Sequence, residues 1–203
     1  MNRRHFLGAM LPLLSALPLR AEMLKGRAAG FGERDQATWR AALQLDGLRF
    51  GKIGEQIQII FFIDPNCPAC AELWGWFDTS PRRDLASLWI PVAYMNKASA
   101  ARAATLLRAP DPYAALAQNF RSFDRANWQG GIAPAQDATL EELSTIKRNT
   151  QFWDKRLFGV TPLMLHRDKG GSVWQTYGFA SATDMDALVA QLAPARLEIY
   201  NGR

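Results

Sequence analysis

A near-continuous apolar run from Ile57 to Ile63 leads through Asp64-Pro65-Asn66 straight into Cys67-Pro68-Ala69-Cys70, and these are the only two cysteines among 203 residues. The run has the Ile/Phe content expected of a strand buried on both faces, reading over Gln56 to Asp64. The segment after it is helical: Cys70, Leu73, Trp74 and Phe77 recur at i, i+3, i+4 and i+7, a single apolar stripe. The chain therefore has to turn from a buried strand into a helix within a few residues, with one thiol at the helix start and the other one turn inside. A thiolate at a helix N-terminus is stabilised by the dipole and by free backbone N–H groups. The stripe points Cys70 toward the core and leaves Cys67 more exposed. Cys67 is thus expected to attack and Cys70 to resolve.

With no third cysteine, the pair can bond only to each other, to a substrate or to a metal. A zinc site takes four ligands; two cysteines and His166, the single histidine beyond residue 21, fall short. His166 reads as an ordinary strand histidine. A purely structural disulfide across two intervening residues closes a tiny loop and adds little chain-entropy stabilisation. The pattern favours a redox-active Cys67–Cys70 couple that needs no other cofactor. Ala69 offers the pair no imidazole, so the Cys67 pKa is expected near the middle of the roughly 3.5 to 7 range of acidified thiols. Asp64 reads as a turn residue before the pair. Most tryptophans read as core, with Trp76 and Trp128 as surface candidates.

The rest of the chain supplies the elements of one domain. Asp35 to Leu45 is a short helix and Leu48 to Phe50 a first strand, turned at Gly51 and Gly54. Leu88 to Met95 is a further strand. From Lys97 to about residue 158 the pattern is helical: an Ala-rich segment to Leu107, then Asp111-Pro112 as N-cap and first helical residue, then a capping box of Thr139 with Glu142. Gly159 stops that last helix. Leu163 to His166 and Val173 to Tyr177 form a hairpin, and Thr183 to Leu192 a closing amphipathic helix. The order is strand, helix carrying the cysteines, strand, helical insertion, strand, strand, helix. This is an α/β chain with the order of a thioredoxin fold, carrying a helical insertion between core strands.

The N-terminus reads as an address. Arg3-Arg4-His5-Phe6-Leu7 matches a twin-arginine signal, and Phe6 to Leu19 is an apolar stretch broken by Pro12 and Pro18. It is shorter than the roughly 20 residues that span a bilayer and suits a signal-peptide core. Residues 1–21 are expected to be removed on export to the periplasm, leaving a lead-in over 22–54 and the thioredoxin-like domain over 55–198. The net charge of +5 falls to +2 with them, because they hold Arg3, Arg4 and Arg20 and no acid. No basic footprint for nucleic acid remains.

Phe62-Ile63-Asp64-Pro65-Asn66-Cys67-Pro68-Ala69-Cys70, with Arg108-Ala109-Pro110-Asp111-Pro112 and Gly159-Val160-Thr161-Pro162, resembles the DsbG/DsbC group of bacterial thiol:disulfide oxidoreductases. The resemblance extends over about residues 55–193. It implies exchange of disulfides with protein clients, a membrane redox partner for recycling, a cis Thr161–Pro162 bond, and a substrate-facing wall formed by Thr161 and Pro162 beside the cysteines. About 35 residues separate the signal from the first core strand, too few for the N-terminal dimerisation domain of that group. The protein is therefore expected to be monomeric and a poor isomerase. A chaperone that holds a partner in the same groove, or a reductase for one dedicated client, remains open.

Overall fold

The computed structural model describes residues 33–196 apart from Ser80, Phe158 and Ala180. The expected signal, the first part of the lead-in and residues 197–198 lie outside the described residues. The elements in order are α1 (Glu33–Ala42), β1 (Leu48–Phe50), β2 (Ile59–Ile63), α2 (Pro68–Asp78), a short 3-10 turn (Pro81–Asp84), β3 (Ser87–Pro91), α3 (Ser99–Arg108), α4 (Pro112–Arg121), α5 (Leu140–Arg156), β4 (Leu163–Arg167), β5 (Val173–Tyr177) and α6 (Ala182–Val189). The five strands form one sheet in the order β1-β3-β2-β4-β5. β2 and β3 run parallel; every other pair is antiparallel. This is the thioredoxin fold, and α3, α4 and α5 are inserted between β3 and β4. Among the described residues no helix is long and apolar enough to cross a membrane.

β2 sits in the middle of the sheet, and every residue of it is buried. Successive side chains of a strand point to opposite faces, and the core divides accordingly. Ile59, Phe61 and Ile63 pack with Leu73, Trp74 and Phe77 of α2, Leu116 and Phe120 of α4, and Met185 of α6. Ile60 and Phe62 pack on the other face with Trp39 of α1, Trp153 of α5, and Leu163 and Leu165 of β4. The stripe of α2 therefore sets the direction of Cys70 by packing against one face of the central strand.

Two strands are shorter than their sequence patterns suggest, each for a visible reason. At the start of β2 the Gln58 N–H still donates to the Ala86 carbonyl beside β3 at 2.7 Å, but the Gln56 N–H turns away to the Arg196 carbonyl at 2.8 Å. β3 stops at Pro91 because the N–H groups of Tyr94 and Met95 turn inward to the Asp64 carboxylate, at 2.8 and 3.0 Å. α6 likewise ends at Val189, and Leu192 instead bridges to Asp168. The capping box at Thr139 and Glu142 is present and opens α5.

Candidate active site

Cys67 is the N-cap residue of α2, with Pro68 at the first helical position. Its sulfur accepts from the Cys70 N–H at 3.4 Å, and its thiol donates to the Thr161 carbonyl at 3.5 Å. Both cysteines are free thiols. Cys67 is less exposed than the stripe alone suggests, at 3 %, because the Thr161–Pro162 loop lies over it. The Thr161–Pro162 bond is cis, and both residues are buried. The structure thus gathers Cys67, Cys70, Thr161 and Pro162 in one place.

The two thiols are driven apart in acidity. Cys67 falls from the ordinary thiol value of 9.0 to about 7, chiefly through a hydrogen bond from Cys70, opposed by burial and assisted by the Thr161 hydroxyl and the Cys70 and Ala69 N–H groups. Cys70 moves the other way, well above its ordinary value, because burial and the neighbouring Cys67 charge both disfavour its anion. The Cys67 value lies at the upper end of the acidified range rather than near its middle. Burial of the sulfur under the cis-proline loop counteracts the donors at the helix start.

Behind the pair, the insertion clamps each residue of the approach loop. Asp64 opens the turn before the pair, its carbonyl accepting from the Cys67 N–H at 3.0 Å, and it is fully buried at the end of β2. Its Oδ2 accepts from Tyr94 and Met95, and its Oδ1 from the Asn66 N–H at 2.8 Å and the Ser99 hydroxyl at 2.9 Å. Burial pushes its pKa up, and these donors resist the rise. Asn119 of α4 donates to the Pro65 carbonyl at 2.9 Å. Asn66 donates to Asn96 and Ser99 at 2.9 and 3.0 Å and accepts from the Gly130 N–H at 3.0 Å. A side chain at Gly130 would be impossible without movement, since a Cβ there would lie 2.0 Å from Asn119 Oδ1 and 2.5 Å from the Pro65 carbonyl.

On the opposite side, Trp153 of α5 donates to the Val160 carbonyl at 2.8 Å and packs its ring 4.8 Å from that of Tyr94. The insertion therefore holds both the approach to Cys67 and the wall facing it. His166 is not part of this arrangement. It is buried on β4 opposite Ile59, at the far end of β2 from the cysteines, within 3.3 Å of the Thr176 hydroxyl. Burial lowers its pKa to about 4. Trp76, read as a surface candidate, is buried and donates to Asp186 at 2.8 Å. Trp128 is 55 % exposed.

No protein-family model matches the sequence. Over 155 residues the chain is 23 % identical to the thiol:disulfide interchange protein DsbG of Escherichia coli (strain K12), covering 74 % of this chain and 60 % of that protein. The chain is thus similar in sequence to DsbG, and its fold is the thioredoxin fold. It spans about 60 % of the length of that curated relative. Among solved structures it superposes on ScsC of Proteus mirabilis in a compact conformation with a TM-score of 0.56 at 18 % identity, over 87 % of this chain and 86 % of that one. A periplasmic thioredoxin-like protein of Salmonella enterica serovar Typhimurium gives 0.56 at 22 % identity, over 79 % and 97 %. A disulfide interchange protein of Neisseria gonorrhoeae gives 0.51 at 15 %, over 71 % and 94 %.

Proposed function

We propose that this protein is an exported thiol:disulfide oxidoreductase acting on protein clients, with Cys67 and Cys70 as its catalytic, redox-active pair. The observation that carries the reading is the geometry of the pair: Cys67 caps α2 with its sulfur against the Cys70 N–H and the Thr161 carbonyl, and Cys70 lies buried one turn behind it. The surroundings lower the Cys67 pKa to about 7 and push that of Cys70 up, so Cys67 is the thiol that ionises and Cys70 stays protonated behind it. In the reducing direction the Cys67 thiolate attacks one sulfur of a client disulfide. A mixed disulfide forms, and the other client sulfur leaves as a thiolate and takes up a proton. Cys70 then loses its proton and attacks Cys67 Sγ, releasing the second client thiol and closing the Cys67–Cys70 disulfide. Two electrons pass from the protein dithiol to the client, and the reverse sequence oxidises a client dithiol.

Thr161 and Pro162 form the substrate-binding wall in this reading. The Thr161 carbonyl, which accepts the Cys67 thiol in the free protein, is released when that sulfur bonds a client. It can then pair with an extended client backbone, as strand addition does elsewhere. The protein works in the periplasm as a monomer, is a poor isomerase, and is recycled by a membrane redox partner.

Insulin reduction and oxidation of a reduced model peptide test the exchange reading directly. Turnover in either assay, lost in Cys67→Ala, is the expected result. Cys70→Ala should instead accumulate mixed disulfides with clients. Client binding that survives in the Cys67→Ala, Cys70→Ala double variant, with no turnover in the wild type, would replace this reading by a chaperone. Sedimentation velocity at micromolar concentration tests the monomer.

A further inference from the structure

Tyr94 lies at the exit of β3, outside the cysteine motif and outside the Thr161–Pro162 loop, and nothing in the sequence marks it. The structure fixes it at three points. Its N–H donates to Asp64 Oδ2 at 2.8 Å, its ring packs 4.8 Å from the Trp153 ring, and its phenol oxygen lies 3.1 Å from Thr161 Oγ1. Trp153 also holds the Val160 carbonyl at 2.8 Å, so one indole sets the position of both the phenol and the residue before Thr161. Tyr94 is nevertheless 45 % exposed, and its hydroxyl meets the side chain of a buried residue.

A threonine hydroxyl has one proton to give and two lone pairs. Its partner on one side decides what it can do on the other. In the thiol state Cys67 donates to the Thr161 backbone carbonyl at 3.5 Å, and the Thr161 side chain owes the sulfur nothing. Once Cys67 is ionised the sulfur needs a donor, and the Thr161 hydroxyl belongs to the residue whose carbonyl lies 3.5 Å from that sulfur and acts to lower its pKa. That proton is free for the sulfur only if Thr161 Oγ1 accepts, rather than donates, on its Tyr94 side. We propose that Tyr94 is a positioning residue for thiol–disulfide exchange: its phenol donates to Thr161 Oγ1 and so commits the Thr161 hydroxyl proton to the Cys67 thiolate. The proposal rests on the exchange function given above.

The surroundings keep the phenol in its donor form. Burial, and then the charges of Cys67, Cys70 and Asp64, push its pKa up against the Thr161 hydrogen bond. Tyr94 therefore stays protonated where Cys67 ionises. Those three groups, from the start of α2 and the end of β2, are the titratable side chains coupled to it; Trp153 and Thr161, on the other side, do not titrate. The relay also gives the helical insertion a chemical role, since α5 supplies the indole against which the tyrosine is held.

The test is the ionisation of Cys67 in the reduced full chain, followed by thiolate absorbance at 240 nm and by the pH dependence of alkylation. Tyr94→Phe keeps the ring on Trp153 and removes only the hydroxyl. Chains of hydrogen bonds strengthen one another by ~10–30 % per bond, so the midpoint should rise by about 0.3 pH unit, roughly twofold in the ionisation constant. Thr161→Val should raise it by about one unit. Adding Tyr94→Phe to Thr161→Val should change nothing more. An unshifted midpoint in Tyr94→Phe, or the same shift in the Thr161→Val background, would overturn the relay. The titration involves no client. Failure of insulin reduction in the wild type therefore removes the exchange function, whereas an unshifted titration with normal insulin reduction removes the relay alone.

Discussion

Replacing Cys70 tests what its thiol does to the acidity of Cys67. The largest contribution to the lowered Cys67 pKa is the hydrogen bond from Cys70, and burial works against it. A hydrogen bond to a charged group contributes about 1.5–3 kcal/mol, which corresponds to roughly one to two pH units. Cys70→Ala removes that donor and leaves the Cys70 backbone N–H in place, so the Cys67 midpoint should rise from about 7 to about 8 or above. The thiolate fraction at pH 7 then falls about fivefold, while the more basic sulfur becomes ~3-fold more nucleophilic for a Brønsted coefficient near 0.45. Alkylation at pH 7 should slow only about twofold, and its high-pH plateau should rise about threefold. Cys70→Ser keeps a donor at the same place and should hold the midpoint within a few tenths of a unit of the wild type. Iodoacetamide kinetics from pH 5 to 10 on each variant, with Cys67 as the single remaining thiol, measure both quantities. A Cys70→Ala midpoint still near 7 would refute the reasoning and transfer the acidification to the helix N-terminus and Thr161.

Two further predictions concern the frame of the site. Gly130→Ala should destabilise the fold by about 1–3 kcal/mol, because its Cβ would meet Asn119 Oδ1 and the Pro65 carbonyl; an unchanged urea midpoint would show that the approach loop is not clamped there. His166, buried with its pKa lowered to about 4 from 6.5, contributes stability that is present above pH 6.5 and lost as pH falls toward 4, by up to roughly 3 kcal/mol. His166→Leu should flatten that acid limb in urea titrations between pH 6.5 and 4, and an unaltered slope would assign the limb to other groups.

The strand-to-helix passage around the cysteines was legible because each signal is local. A continuous Ile/Phe run, a Pro at the first helical position and a stripe at helical spacing determine where Cys67 and Cys70 lie without reference to the rest of the chain. Thr161 and Pro162 were reached only through resemblance, since a Thr-Pro pair some ninety residues away carries no local sign of a thiol beside it. The residues that fix the site from behind were missed for the same reason. Asp64 does open the turn, as read, but the role of its carboxylate was not legible because its partners Tyr94, Met95 and Ser99 come from the far side of β3. Those partners also shorten β3, so one buried carboxylate accounts for both the missed role and the misplaced strand end. Asn119 offered a faint signal, as a polar residue at i+3 and i+4 from the buried Leu116 and Ala115. Tyr94 offered none.

The Cys67 pKa bears on which way electrons run. Stabilising the thiolate stabilises the dithiol and makes the disulfide more oxidising, but only by the ionisation that occurs at the working pH. A midpoint of about 7 means half ionisation at pH 7, which contributes about 0.4 kcal/mol, or ~10 mV at about 30 mV per 1.4 kcal/mol. A midpoint near 3.5, at the acid end of the known range, would contribute about 4.8 kcal/mol, or ~100 mV. The difference traces to the residues present: Ala69 supplies no cation, Thr161 and Cys70 supply neutral donors, and the cis-proline loop buries the sulfur. The Cys67–Cys70 couple therefore draws little oxidising power from its thiolate. A potential measured against glutathione should move by only ~10 mV when the Cys67 acidification is removed at pH 7.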